Sequence, residues 1–152
     1  MENSKQKILI TGASSGLGRE LAHQYAQKGN VELILVARRK EALEKVSKKC
    51  EAFENVKTRV YSVDIGSQEQ VEHLLSSVKD IDILINGAGY GIMKDFSEFS
   101  DHDVVNMFDT NVIGTIQLTT EIAKRMREKK SGTIVTIASL AGKIATPKSS
   151  VY

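Results

Sequence analysis

The chain has no tryptophan, one proline and one cysteine in 152 residues. A lone Cys50 excludes any disulfide within the chain and argues against a thiolate metal cluster. Neither staple is expected, and a reducing compartment, the cytoplasm, is the default address. Charge of one sign is also lacking: 21 basic residues meet 19 acidic ones, for a net charge of +2. No nucleic-acid partner is therefore expected. The densest basic stretch, "KRMREKK" at 124–130, has no aromatic residue interleaved. It reads as the solvated end of a helix, favoured there by the macrodipole, rather than as a nucleic-acid patch. Long apolar runs are missing as well. Nothing approaches the roughly 20 apolar residues of a membrane helix, and the opening "MENSKQKILI" lacks the core of a secretion signal, so no membrane association is expected. His23, His73 and His102 have no partner at ligand spacing, and no metal site is expected. What remains, 41% apolar and 26% charged, suits one globular domain over 1–152, long enough to bury its own core.

Short runs rich in Ile, Val and Leu alternate with stretches of helical period. Strands are predicted at 7–11, 31–37, 57–63, 81–86 and 132–139. Between them, a first helix is predicted from Gly16 to Lys28, with Leu17, Leu21, Tyr25 and Ala26 on its apolar face and Gly29 as its stop. A second, from Lys40 to Phe53, repeats Leu43, Val46 and Cys50. A third follows Ser67 and Gln70, which have capping-box spacing, and runs through Val78. The long span 101–129 predicts two helices broken near Asn111–Gly114, with the apolar "VVNMF" at 104–108 in the core or at a subunit contact. Strand and helix in alternation predict an α/β fold, a Rossmann-type doubly wound parallel sheet. The first, second and fourth strands are almost continuously apolar, as strands covered on both faces should be. No internal repeat, low-complexity tract or linker interrupts the pattern.

"ILITGASSGLGREL" sets Gly12, Gly16 and Gly18 at the turn from the first strand into the first helix. Glycine lets the backbone adopt positive φ and lets a pyrophosphate approach a helix N-terminus, where free N–H groups and the dipole favour an anion. The spacing is G-x-x-x-G-x-G, one residue longer than the usual dinucleotide fingerprint. The second strand then ends in "VARRK". Ala37 stands where a carboxylate would accept from an adenosine ribose, and Arg38 and Arg39 follow. Guanidinium groups pair with a phosphate that a carboxylate would repel, which favours NADP(H); two solvated surface arginines are the plainer alternative.

With "TGASSGLG" at 11–18, "NGAG" at 86–89, Asn111 in "NVIG" and Ser139 thirteen residues before Tyr152, the sequence resembles the short-chain dehydrogenase/reductases along its whole length. The "VARR" end of strand two resembles the NADP-preferring members. "NGAG" departs from the commoner form with two asparagines but keeps Ala88 and Gly89. The resemblance implies strand order 3-2-1-4-5 and a pyrophosphate loop of Thr11, Gly12, Ser14, Ser15, Gly16, Leu17 and Gly18. It places Asp64 and Ile65 at the adenine and Asn86, Ala88 and Gly89 beside the cofactor's ribose. Asn111, Ser139 and Tyr152 correspond to three of four catalytic residues. The implied activity interconverts a ketone or aldehyde with its alcohol in a homodimer or homotetramer packed partly through the helix after strand four.

The chemistry follows from the residue types. Carbonyl reduction needs hydride at carbon, which a nicotinamide brings, and a proton at oxygen, which the protein must supply. A tyrosine phenol can supply it, yet a pKa near ~10 makes it a poor base in reverse unless a cation stabilises the phenolate. Ser139 can hydrogen-bond the substrate oxygen, and Asn111 can hold a relay water. Taken singly, Ser139 is more economically a turn residue and Asn111 a helix breaker; only their joint spacing with Tyr152 favours catalysis. The family's partner lysine would stand at position 156, beyond this chain. The remaining strands of the family fold are also absent, which leaves an open parallel edge and an uncovered face. The expectation is thus a parent chain of ordinary family length, with 1–152 by itself inactive. The alternative is a catalytically inactive dinucleotide-binding module, serving as a sensor or interaction protein.

Overall fold

A computed structural model describes residues 5–149 and Val151. The strands β1 (Gln6–Thr11), β2 (Val31–Ala37), β3 (Val56–Ser62), β4 (Ile83–Asn86) and β5 (Thr133–Thr136) form one sheet in the order β3-β2-β1-β4-β5. Every neighbouring pair is parallel. The helices are α1 (Gly16–Lys28), α2 (Lys40–Cys50), α3 (Gln68–Ser77), α4 (Asp101–Phe108) and α5 (Thr115–Glu128). The expected fold class and strand order are those observed.

The period-two geometry of the strands divides the core. Ile8 and Ile10 of β1 and Leu33 and Leu35 of β2 join Ala22 and Ala26 of α1 and Leu43, Val46 and Cys50 of α2 on one face. Leu9, Ile34 and Val36 point the other way, to Val71, Leu74 and Leu75 of α3 and Leu118, Ile122 and Met126 of α5. Alternate residues of a strand face opposite sides, so the two central strands must be apolar throughout. At the far edge, β5 is exposed along its whole length, with Ile134 and Val135 38% and 42% accessible.

Several elements depart from the sequence-based expectation. Leu17 is not in the core of α1 but 64% exposed; the buried line is Gly18, Ala22 and Ala26, with Leu21 and Tyr25 packed only partly buried beside it. Small side chains let the helix backbone approach the sheet closely, and a Cβ at Gly18 would lie 2.5 Å from the Gly12 carbonyl oxygen. Strand β4 starts at Ile83 rather than at 81; just before it the Asp82 N–H donates to the Lys7 carbonyl and the Asp82 carboxylate accepts from the Lys7 N–H, each at 2.9 Å. Helix α2 ends at Cys50, short of Phe53, in a turn that places Asn55 at φ 58°. Ser67 caps α3 by accepting from the Gln70 N–H, but the Gln70 side chain accepts from the Asp64 N–H instead of closing the box.

The largest departure lies between α4 and α5. Instead of a break, Asp109–Gly114 continues as a π-helical turn. Such wide turns inside helices frequently mark functional sites.

Candidate active site

The strand order places the chain's reversal between β1 and β4, the crevice where open α/β sheets bind ligands beyond the carboxyl ends of their strands. A cleft of about 500 Å³ opens there. Its floor is the β1–α1 loop, Gly12 and Ser14 through Gly18. One wall is Ala37, Arg38 and Arg39 after β2 and Val63, Asp64 and Ile65 after β3. The other is Gly87 through Tyr90 after β4, with Thr110, Ile137 and Ala138.

Two loops meet at the crevice floor. Gly12 sits at φ +70°, and a Cβ there would lie 2.9 Å from the Ala88 nitrogen, so only glycine lets the β1 and β4 loops touch. Beneath them the Thr11 hydroxyl accepts from the Gly87 N–H at 3.0 Å and the Ala88 N–H at 3.1 Å. Thr11 is 2% exposed and does not line the cleft, so its service is to brace the two loops. Helix α1 starts behind Ser15, whose extended backbone precedes Gly16 and whose side chain caps nothing. No acidic residue stands in the first turn. The leading N–H groups of α1 are thus left free for an anion, with the helix dipole reinforcing the preference.

Basic groups gather at the β2 end. The Arg39 guanidinium donates to Ser14 Oγ at 3.2 Å, joining the strand-two tail to the glycine loop. The Arg38 guanidinium lies 5.7 Å from the centroid of the Tyr90 ring. On the same wall, Asp64 Oδ1 accepts from the Gly66 N–H at 3.0 Å, which tightens the turn after β3, and Ile65 is 3% exposed beside it.

At the opposite end the expected residues separate. Asn86 is 3% exposed and absent from the cleft lining; its Nδ2 donates to Thr119 Oγ1 at 2.8 Å and Thr136 Oγ1 at 3.3 Å, tying α5 to β5. It is an internal strut under Ala88 and Gly89. Asn111 sits on the π-helical turn, where Oδ1 accepts from the Tyr90 N–H at 3.0 Å and Nδ2 donates to the Tyr90 carbonyl at 2.8 Å. Ser139 follows β5, and its Oγ accepts from the Ala141 N–H at 3.1 Å at the start of a short 3₁₀ turn. Tyr152 lies outside the described residues. Tyr90 and Thr110 line the cleft without having been singled out in the sequence. Tyr90 directly follows "NGAG", and that adjacency was the available signal.

The residues present fit a dinucleotide: a glycine loop folded tightly against the loop after β4, an uncapped helix N-terminus and two guanidinium groups border one cleft. Residues 6–152 match the family model described as short chain dehydrogenase. Over 150 residues the chain is 34% identical to an NADP-dependent 3-hydroxy acid dehydrogenase of Schizosaccharomyces pombe, covering 95% of this chain and 58% of that protein. Its fold is similar to the bulky-bulky ketone specific alcohol dehydrogenase of Comamonas testosteroni, with a TM-score of 0.91, 27% identity, and coverage of 99% of this chain and 61% of that one. A short-chain dehydrogenase from Sphingobium yanoikuyae in complex with NADPH is also similar, with a TM-score of 0.89, 29% identity, and coverage of 97% and 59%. The chain spans about half the length of the curated relatives it matches.

Proposed function

The chain belongs to the short-chain dehydrogenase/reductase family, and on that premise we propose that the full-length protein is an NADP(H)-dependent oxidoreductase interconverting a ketone or aldehyde with its alcohol. The observation that carries the cofactor choice is the Arg39–Ser14 hydrogen bond. It sets a guanidinium beside the glycine loop, and no carboxylate stands at the end of β2 to oppose a 2′-phosphate. The NADP-dependent fission-yeast relative and the Sphingobium neighbour in complex with NADPH support this choice.

The residues divide by task. Gly12, Ser14, Ser15, Gly16, Leu17 and Gly18 would hold the pyrophosphate against the N-terminus of α1, and Arg38 and Arg39 would hold the 2′-phosphate. Asp64 and Ile65 would receive the adenine, and Ala88 and Gly89 the ribose, while Thr11 and Asn86 fix those loops from below. The nicotinamide, when bound, supplies or receives the hydride. Tyr152 is the acid/base that moves the proton at the substrate oxygen, and Ser139 Oγ hydrogen-bonds that oxygen as charge builds on it. Asn111 has one lone pair and one amide N–H left after its two bonds to Tyr90, and these are what it offers a relay water.

The same reading has the protein cytoplasmic and acting on a small molecule as a homodimer or homotetramer. Val105, Phe108, Val112 and Ile116, all more than a third exposed along α4, the π-helical turn and α5, support self-association. Among the described residues no helix is long and apolar enough to cross a membrane.

The test mixes the full-length protein with NADPH and a panel of ketones and aldehydes. Tyr152→Phe should abolish turnover while leaving NADPH bound; turnover that survives the substitution contradicts the acid/base role. Arg38→Ala with Arg39→Ala should weaken NADPH roughly 10- to 100-fold more than NADH, the value of one or two charge-assisted hydrogen bonds. Equal weakening of both would remove the 2′-phosphate role.

A further inference from the structure

The Arg38–Tyr90 pair joins two walls of the cleft that have no covalent reason to be coordinated. Arg38 comes from the end of β2 and Tyr90 from the loop after β4, and both line the main cleft and a smaller adjoining pocket of about 210 Å³. The guanidinium stands 5.7 Å from the ring centroid, within the range of a cation–π contact. The Tyr90 backbone is itself held on both its N–H and its carbonyl by Asn111. The ring is therefore presented from an anchored backbone.

We propose that Tyr90 is a specificity-determining positioning residue that pre-orients Arg38 for a 2′-phosphorylated adenine nucleotide. The inference rests on the cofactor reading given above. A cation held over a ring face spends none of its N–H donors on the ring, so all five of the Arg38 guanidinium stay available to phosphate oxygens. An arginine on a solvated loop loses rotamer freedom when it binds, and one already restrained loses less. Tyr90 thereby favours the phosphorylated nucleotide without touching the phosphate. An exposed cation–π contact corresponds to about a two- to five-fold effect on affinity.

The probes are 2′,5′-ADP and 5′-ADP, whose dissociation constants are measured calorimetrically, so the readout does not depend on turnover. Tyr90→Leu should lower the preference for 2′,5′-ADP about two- to five-fold, and Tyr90→Phe, which keeps the ring face, should retain it. In an Arg38→Ala background Tyr90→Leu should change the preference no further. Equal loss in the Phe and Leu variants, an unchanged preference in Tyr90→Leu, or a continued loss without Arg38 would each overturn the positioning role while sparing the cofactor reading. A wild-type protein that does not distinguish the two probes overturns both.

Discussion

The side chain of Asn111 and the backbone of Tyr90 form a closed two-bonded pair, with Oδ1 accepting at 3.0 Å and Nδ2 donating at 2.8 Å. The widened π-helical turn carries the amide to the loop after β4. Asn111→Ala should cost about 1–3 kcal/mol, the range for two partly buried hydrogen bonds. Asn111→Asp should not rescue it, because a carboxylate still accepts from the N–H but sets its second oxygen against the Tyr90 carbonyl. Urea denaturation of the two variants distinguishes this pairing from a simple volume effect; an Asp variant of wild-type stability contradicts it.

Thr11 carries a comparable load at the other side of the same loop. Its hydroxyl serves two backbone donors in a site 2% exposed. Thr11→Val preserves shape and leaves the Gly87 and Ala88 N–H groups without an acceptor, for an expected loss of about 2–4 kcal/mol. Thr11→Ser should restore most of it. Denaturant midpoints that order the series wild type, Ser, Val bear out the brace; a Val variant as stable as the wild type removes it.

The sheet was legible because its signal is redundant. Ile8, Leu9, Ile10, Leu33, Ile34 and Leu35 are all buried, and a run covered on both faces can hardly be mistaken in an alternating chain. The glycine loop was legible because close approach and positive φ restrict the residue type. The sequence did not disclose which polar residues face the cleft and which support it. Thr11 and Asn86 belong to the motifs yet point inward, and nothing in a motif's spacing records side-chain direction. The continuation of the helix through Asn111–Gly114 was also hidden, because asparagine and glycine in a helix normally signal its end. Leu17 misled for a related reason. Helical period identifies a face, but close approach to the sheet selected the small residues Gly18, Ala22 and Ala26 instead.

Helix α4 carries a pH-dependent cap. Hydrogen bonds from the Lys94 ammonium and then from the Ser100 hydroxyl and N–H hold the Asp103 carboxyl well below the ordinary carboxylate range. A depressed folded-state pKa contributes stability that is fully present above the unfolded value of about 3.9 and disappears as pH falls below it. Asp103→Asn should therefore be less stable than the wild type near neutrality, and the gap should close progressively from about pH 4 downward. Urea midpoints across that range provide the check, and a gap that widens in acid is incompatible with the assignment.

Gly114 tests why the π-helical turn ends where it does. A Cβ there would overlap the Ile65 carbonyl oxygen, which belongs to the cleft wall after β3. Helix propensity alone favours alanine over glycine by about 1 kcal/mol, so an unconstrained site would be stabilised by the change. Forcing a methyl into packed backbone costs about 1–3 kcal/mol or more, and the neighbour here is main chain that cannot rotate away. The overlap should win. Gly114→Ala is expected to lose about 2 kcal/mol, a fall of roughly 4–8 °C in Tm, and to weaken dinucleotide binding as Ile65 is displaced. Gly142→Ala is the control, because a Cβ there meets nothing within 4 Å. Thermal denaturation should leave that variant near the wild type, and a Gly114→Ala protein as stable as its control would mean that the turn can shift away from Ile65 at no cost.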